Sequence, residues 1–228
     1  MLVGFADAAL NGFAAAPLRA AFSALVWRGL EIGVEADDFL ARMLSIAHGI
    51  VIGDPQADAT EMGPLCTLGQ IEHIERQVAL AIKEGGKVLY GGRRLAGPGL
   101  FFEPTIIECP RQDMTIVDTE LFGPVLAVQR FRTEAEVVAL ANDTKHGLAA
   151  GLFTRDGARQ LRLAKALKSG MVWVNTYRMI SPIAEFGGVK TSGHGREAGL
   201  QAMYDYTRAK TIWVNLSDDP IANPFQPR

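Results

Sequence analysis

Val125-Leu126-Ala127-Val128-Gln129-Arg130-Phe131, followed closely by Thr133-Glu134-Ala135-Glu136, is the stretch that decides the fold. The apolar run reads as a strand. Thr-x-x-Glu is a capping-box pattern, in which the threonine oxygen takes a free helix N–H, and it opens a helix reaching to about Asn142. The alternation continues downstream. Leu148 to Phe153 reads as a strand, Asp156 caps a helix that ends at Gly170, and Met171 to Asn175 is another strand. Strands alternating with helices predict an α/β layered fold with a largely parallel sheet.

Upstream, residues 36 to 48 read as a helix with Phe39, Leu40, Met43, Leu44 and Ala47 along one side. Gln70 to Glu84 is a clearer helix, with Ile71, Ile74, Val78 and Ile82 at helical spacing and Gly85-Gly86 as its stop. Lys87 to Tyr90 is a short strand, and Phe101 to Ile107 is extended around Pro104. Thr211 to Leu216 reads as a strand with no partner nearby in sequence.

The formal net charge of −2, with no lysine or arginine block, argues against a nucleic-acid surface. No apolar run approaches the roughly 20 residues that cross a bilayer. The two cysteines, Cys66 and Cys109, make no disulfide framework, so a reducing cytoplasm is expected. The four histidines show no metal-ligand spacing with either thiol, and no metal is expected.

Glu120-Leu121-Phe122-Gly123-Pro124-Val125 places a carboxylate and an aromatic ring beside a tight turn, just before the deciding strand. Such a layout can hold a flat, hydroxyl-bearing ligand, the carboxylate taking the hydroxyls and the ring packing the flat face. A second dense block is Phe186-Gly187-Gly188-Val189-Lys190-Thr191-Ser192-Gly193-His194-Gly195-Arg196-Glu197. Its Gly-rich end lacks the strand–glycine–helix context of a phosphate loop and reads as a turn.

These two blocks stand in order with Gly53-Asp54-Pro55, Met62-Gly63-Pro64-Leu65, Phe102-Glu103-Pro104-Thr105, Asn142-Asp143-Thr144 with Gly147-Leu148-Ala149-Ala150, and Val172-Trp173-Val174-Asn175. From about Asp37 to Leu216 the chain resembles the C-terminal half of the NAD(P)-dependent aldehyde dehydrogenase superfamily. The resemblance implies an aldehyde dehydrogenase-like catalytic domain over residues 37–208 and a C-terminal oligomerisation strand and tail over 209–228. It also implies that the N-terminal dinucleotide-binding domain is lacking. The activity implied is oxidation of a small aldehyde to the acid with NAD or NADP. A homo-oligomer, or association with a related subunit, is implied by the C-terminal strand.

By the same resemblance Glu120 matches the ribose-binding glutamate and Phe122 the ring near the nicotinamide. Phe186 matches an aromatic position near the substrate tunnel; an ordinary core ring is its other reading. Glu185 stands where the family usually has proline, and a carboxylate buried there would be costly unless paired. Tyr177 and Arg178 fall in a loop where the family varies with substrate.

No residue is assigned a catalytic role. Cys66 and Cys109 match no catalytic position. Residues 1–36 read as a disrupted remnant of the nucleophile-loop region. Asp7 to Ala16 resembles the helix before that loop, but Pro17 to Trp27 replaces the expected Gly-Gln-x-Cys and Gly-Ser-Arg. Codons for Gln-Ser-Cys-Val-x-Gly-Ser-Arg-Leu, read one base late, can yield the order seen over Arg19 to Trp27, which points to a frameshift. The chain by itself is therefore expected to be inactive, or to serve as a non-catalytic interaction subunit.

Overall fold

The computed structural model describes residues 2–5 and 27–32 as strands, together with residues 36–219 and Phe225. In chain order the elements are β1 (Leu2–Phe5), β2 (Trp27–Ile32), α1 (Ala36–His48), α2 (Leu68–Lys83), β3 (Lys87–Tyr90), β4 (Thr105–Glu108), α3 (Thr115–Asp118) and β5 (Val125–Phe131). Then follow α4 (Glu134–Asn142), β6 (Ala149–Phe153), α5 (Gly157–Ala166), β7 (Met171–Val174), a 3-10 turn at Lys190–Ser192, and α6 (Gly199–Asp205).

The strands form one sheet in the order β3-β4-β5-β2-β1-β6-β7. Every neighbouring pair is parallel except β3 with β4. This is the α/β fold with the largely parallel sheet that the alternation predicts. The two N-terminal strands lie at its centre. Trp27 sits opposite Leu126, and Leu2 pairs with both Arg28 and Ala150. The helix expected over Asp7 to Ala16 and the segment Pro17 to Val26 lie outside the described residues.

Strand alternation sorts the core onto the two faces of the sheet. Ile106, Leu126 and Val128 meet Phe39, Leu40, Met43 and Ala47 of α1. The intervening Ile107, Val125 and Ala127 meet Ile71, Ile74, Val78 and Ala81 of α2. Phe131, Ala150 and Leu152 pack on Val137 and Ala141 of α4 and Leu163 of α5. Both faces being covered, β5 is apolar almost throughout, as buried parallel strands are. Its exceptions are Gln129, which is buried, and Arg130, which is exposed on the α1 side. Arg130 holds Glu108 at 2.6 Å and Asp37, in the first turn of α1, at 2.7 Å.

The helix caps follow the sequence signals. Thr67 Oγ1 accepts from Gln70 N, Thr133 Oγ1 from Glu136 N, and Asp156 from the N–H groups of Ala158 and Arg159. Three expectations shift. The buried face of α2 ends on Ala81 rather than Ile82, which is half exposed, because the stripe drifts across a straight helix. Helix α5 stops at Ala166 instead of reaching Gly170. There the Asn142 side chain accepts from Lys168 N and donates to the Ala166 carbonyl, capping the helix end. Thr211 to Leu216 forms no ladder with any described residue.

Candidate functional site

The loop entering β5 is built so that alternate residues face opposite ways. Leu121 is buried in the core beside Ile74, while Glu120 and Phe122 on either side of it are exposed, Phe122 by 55%. Phe122 adopts φ 49°, a left-handed conformation that an aromatic residue rarely takes and that the surroundings must impose. A Cβ on Gly123 would collide with Ile74 Cδ1, so only glycine lets this turn lie flat on α2. Pro124 then accepts a 2.7 Å hydrogen bond from Thr105 N as the strand begins. The Glu120 carboxylate has no ion pair among the described residues, and it and the Phe122 ring stand open to a ligand.

The loop is held from both ends. At one end the Gln70 side-chain amide donates to the Phe122 carbonyl, and its Oε1 accepts from Cys66 N at 3.2 Å. At the other end Asp118 Oδ1 accepts from the Thr144 hydroxyl at 2.5 Å and from Lys145 N at 3.3 Å. His146 Nε2 lies 3.2 Å from the Asp118 carbonyl. The Glu84 carboxylate takes both the N–H and the hydroxyl of Thr115, at 2.7 and 2.6 Å, which fixes the start of α3.

The second sequence block braces the same region. Lys190 Nζ donates to the carbonyls of Asn142 and Thr144, each at 2.9 Å. The Thr191 hydroxyl donates to the Lys145 carbonyl at 2.6 Å, and Ser192 Oγ accepts from Gly147 N at 3.0 Å. Gly170 and Gly187 touch so closely that a Cβ on Gly170 would strike the Gly187 carbonyl. Arg196 Nη1 closes the block by donating to the carbonyls of Gly188, His194 and Gly195, at 2.7, 3.2 and 3.0 Å. An open depression of about 580 Å³ lies beside these contacts, with Thr115, Asp118, Thr144, Lys145 and Lys190 in its wall.

Glu120 and Phe122 precede β5, and after Phe186 the residues Gly187 and Gly188 pack beside Gly170 and Val189 beside Gly147, the two glycines that precede β7 and β6. All therefore lie at the edge where the parallel strands begin. Phe186 itself is half-buried and exchanges two 2.7 Å main-chain hydrogen bonds with Glu197. Glu185 is exposed, so the desolvation cost expected of it does not arise. Tyr177 follows the opposite end of β7. It packs against the core cluster of α1 and stands edge-on to Trp173 at 5.2 Å, and burial raises its phenol above the ordinary value of 10. Arg178 beside it is exposed. The structure thus brings Glu120 and Phe122 together and leaves Tyr177 apart from them.

Cys109 is buried in the core, and Cys66 is exposed before α2. Among the described residues there is no group of three or more potential metal ligands, and no helix is long and apolar enough to cross a membrane.

The aldehyde dehydrogenase family profile matches residues 34–212. The chain belongs to that family. A dehydrogenase of Acinetobacter baylyi that acts on (Z)-2-((N-methylformamido)methylene)-5-hydroxybutyrolactone is 44% identical, over 97% of this chain and 47% of its own length. A betaine aldehyde dehydrogenase of Cereibacter sphaeroides is 41% identical over 82% of this chain and 38% of its own. Among solved aldehyde dehydrogenases, the betaine aldehyde dehydrogenase of Staphylococcus aureus superposes with a TM-score of 0.90 at 32% identity, covering 99% of this chain and 47% of that one. PnpE of a Pseudomonas species, solved with nicotinamide adenine dinucleotide, superposes with a TM-score of 0.88 at 37% identity, covering 98% and 48%. The chain therefore spans less than half the length of these aldehyde dehydrogenases.

Two anchors of the Glu120–Phe122 loop, Gln70 and Asp118, were not legible as such. Gln70 is one polar residue in the first turn of a helix, and nothing in its own neighbourhood says that its amide reaches a carbonyl 52 residues away.

Proposed function

We propose that this chain supplies one side of the nicotinamide site of an aldehyde dehydrogenase, and that it does not oxidise aldehydes unaided. The observation that supports the reading is the loop before β5, where Glu120 and Phe122 are exposed about the buried Leu121 and Phe122 is held in a left-handed conformation. A free carboxylate fits ribose hydroxyls and an open ring fits a flat nicotinamide, in NAD or NADP. Bound NAD would supply the hydride acceptor. The protein would supply geometry and electrostatics.

Such chemistry needs a nucleophilic thiolate beside the cofactor. Cys109 is 2% exposed within the core and closed to substrate. Cys66 is exposed, but its thiol makes no hydrogen bond to a base among the described residues. Loss of a nucleophile whose partners act as a unit commonly costs about a million-fold in rate. We assign the shifted reading of Arg19 to Trp27 as the origin of the loss. Coding DNA in which no neighbouring frame restores a cysteine codon there would overturn that origin. The substrate class is a small aldehyde, with Phe186 and Tyr177 as the residues that would shape its site, and the compartment is the cytoplasm. The direct test mixes the purified chain with NAD or NADP and a panel of small aldehydes, betaine aldehyde among them. Saturable NADH or NADPH formation would sink the proposal of inactivity.

A second reading has its own observation. Ile212, Trp213, Val214 and Leu216 are 75%, 92%, 72% and 91% exposed. An unpaired apolar segment of this kind is suited to adding a strand to another subunit's sheet. In that case the chain is an interaction subunit, as a homo-oligomer or beside an intact dehydrogenase. A stable monomer in solution that also fails to associate with a full-length dehydrogenase would argue against it.

A further inference from the structure

We propose that Asn175 and Trp173 are the positioning residues of the loop that carries Tyr177 and Arg178, fastening it to the edge of the sheet where β6 and β7 end. That this loop faces a substrate rests on the function proposed above; the fastening is carried by separate observations.

Strands β6 and β7 run parallel, with Leu152 opposite Val174. Asn175 N donates to the Leu152 carbonyl at 2.8 Å, a main-chain rung of that ladder. Continued in the same register, the ladder would take Thr154 N–H to the Asn175 main-chain carbonyl, and the Thr154 carbonyl would accept from the N–H of Tyr177. The Asn175 side chain takes both places instead. Its Oδ1 accepts from Thr154 N at 2.8 Å, and its Nδ2 donates to the Thr154 carbonyl at 2.9 Å. The amide can be placed only this way round, since an N–H donates and a carbonyl accepts. The main chain of Asn175 is thereby released from the ladder and turns away at φ 53°, a left-handed conformation that asparagine tolerates better than most residues. Thr154 is a firm anchor. It is buried, and its carbonyl also accepts from the Gln160 side chain of α5 at 2.9 Å.

The loop is fastened a second time four residues on. Trp173, buried in β7, donates from its indole Nε1 to the Met179 carbonyl at 2.9 Å. Between the two fastenings Tyr177 packs against the α1 core cluster, edge-on to the Trp173 ring at 5.2 Å. Arg178 beside it is exposed and left-handed, at φ 57°. Two side chains of one strand end thus hold Tyr177 inward and Arg178 outward. Without them the loop would relax toward ordinary backbone angles, and a ligand would have to order it on binding.

The test uses the whole chain and two substitutions. Asn175→Gly suits the left-handed backbone and removes both side-chain bonds to Thr154. Trp173→Phe keeps a ring beside Tyr177 and removes the donor to Met179. Backbone order parameters are measured by nuclear magnetic resonance over residues 176–180, with helices α4 and α5 as the internal control. Betaine aldehyde is titrated in parallel. In the unaltered chain the loop is expected to match rigid backbone, about 0.85, and in each variant to fall toward the flexible range below about 0.6, with α4 and α5 unchanged. Asn175→Gly should also abolish the Overhauser contact between the Tyr177 and Trp173 rings, which a loss of general stability alone would not do. Loop order unmoved in both variants, or lost equally in α4 and α5, overturns the proposal. The two readings fail separately. If betaine aldehyde at millimolar concentration moves no Tyr177 or Arg178 signal of the unaltered chain, the substrate reading of the loop falls, and the order parameters still decide the positioning. If it moves those signals equally in all three chains, the positioning falls and the substrate reading stands.

Discussion

Lys190 Nζ donates to the Thr144 main-chain carbonyl at 2.9 Å, joining two sequence blocks 46 residues apart. The same ammonium reaches the Asn142 carbonyl at 2.9 Å. Lys190 is also one of few non-glycine residues at positive φ, here 57°. Its placement is set by these carbonyls, and through Thr144 it supports Asp118 and the loop that carries Glu120 and Phe122.

Lys190→Met keeps the aliphatic stem and removes the donor. Two carbonyls then lose a charged partner in a half-buried place, which should cost about 2–3 kcal/mol. The shift in the urea midpoint measures it, at unchanged slope. A shift corresponding to under about 0.5 kcal/mol, the range of ordinary surface changes, would show that the ammonium is not a brace.

Gly123 and Gly170 are both closely packed, but against different kinds of atom. Gly123→Ala meets the tip of the Ile74 side chain, and overpacking of this kind costs about 1–3 kcal/mol. Adding Ile74→Val, which deletes the colliding methyl, should recover part of the loss, so a double-mutant cycle by thermal unfolding should show favourable coupling. Gly170→Ala meets the main-chain carbonyl of Gly187, which no side-chain truncation moves. It should cost more than Gly123→Ala and be rescued by nothing at Ile74. Equal effects, or additive ones at Gly123 and Ile74, would contradict the packing described.

Local signals carried over well where the determinants were local. The caps Thr133 and Asp156 and the stripe Ile71, Ile74, Val78 state their structure within a few residues. The loop before β5 stood out as a candidate too, because a carboxylate, a ring and a Gly-Pro turn lie within five residues, Glu120 to Pro124, and the structure leaves both Glu120 and Phe122 exposed there. The sheet's centre was not. Leu2–Phe5 is four residues long and Trp27–Ile32 carries Gly29 and Glu31, so neither shows a strong strand pattern. Their place is set by parallel partners distant in sequence, Leu2 with Ala150 and Trp27 with Leu126. The long-range contacts of Gln70 and Lys190 were illegible for the same reason. Each acts on a carbonyl, which every residue has, so no partner residue type marks it.

Acid should loosen the contact between α4 and α5. Glu134 accepts from Arg159 at 2.6 Å and from Arg162 at 2.9 Å, and hydrogen bonds from Arg162 and then Arg159 hold its carboxyl below the ordinary 4.5. A carboxylate depressed on folding stabilises the folded state above its unfolded pKa, and the gain is lost as pH falls through the folded one. The loss therefore lies below about pH 4.5. Glu134→Gln should flatten the stability profile in that acid range and leave the slope between pH 6 and 8 unchanged, by urea midpoints at each pH. A profile identical to that of the unaltered chain would show that the pair carries no pH dependence.

The tail supplies the last prediction. In an extended chain alternate side chains share a face, so Ile212, Val214 and Leu216 would line one side and Trp213 the other. If this segment adds a strand to another subunit, its N–H groups matter as much as its side chains. Val214→Pro removes a donor and blocks a ladder in its middle while keeping an apolar residue. Light scattering after size exclusion should show the assembly mass falling toward that of one chain. The far-ultraviolet circular dichroism should change little, because only this short segment would lose its ladder and Thr211 to Leu216 pairs with no described residue of its own chain. Val214→Ala trims the side chain and spares the donor, so it should reduce assembly less than proline does. Equal effects of the two would mean that the tail associates through apolar contact alone, and an unchanged mass in both would remove it as an assembly strand.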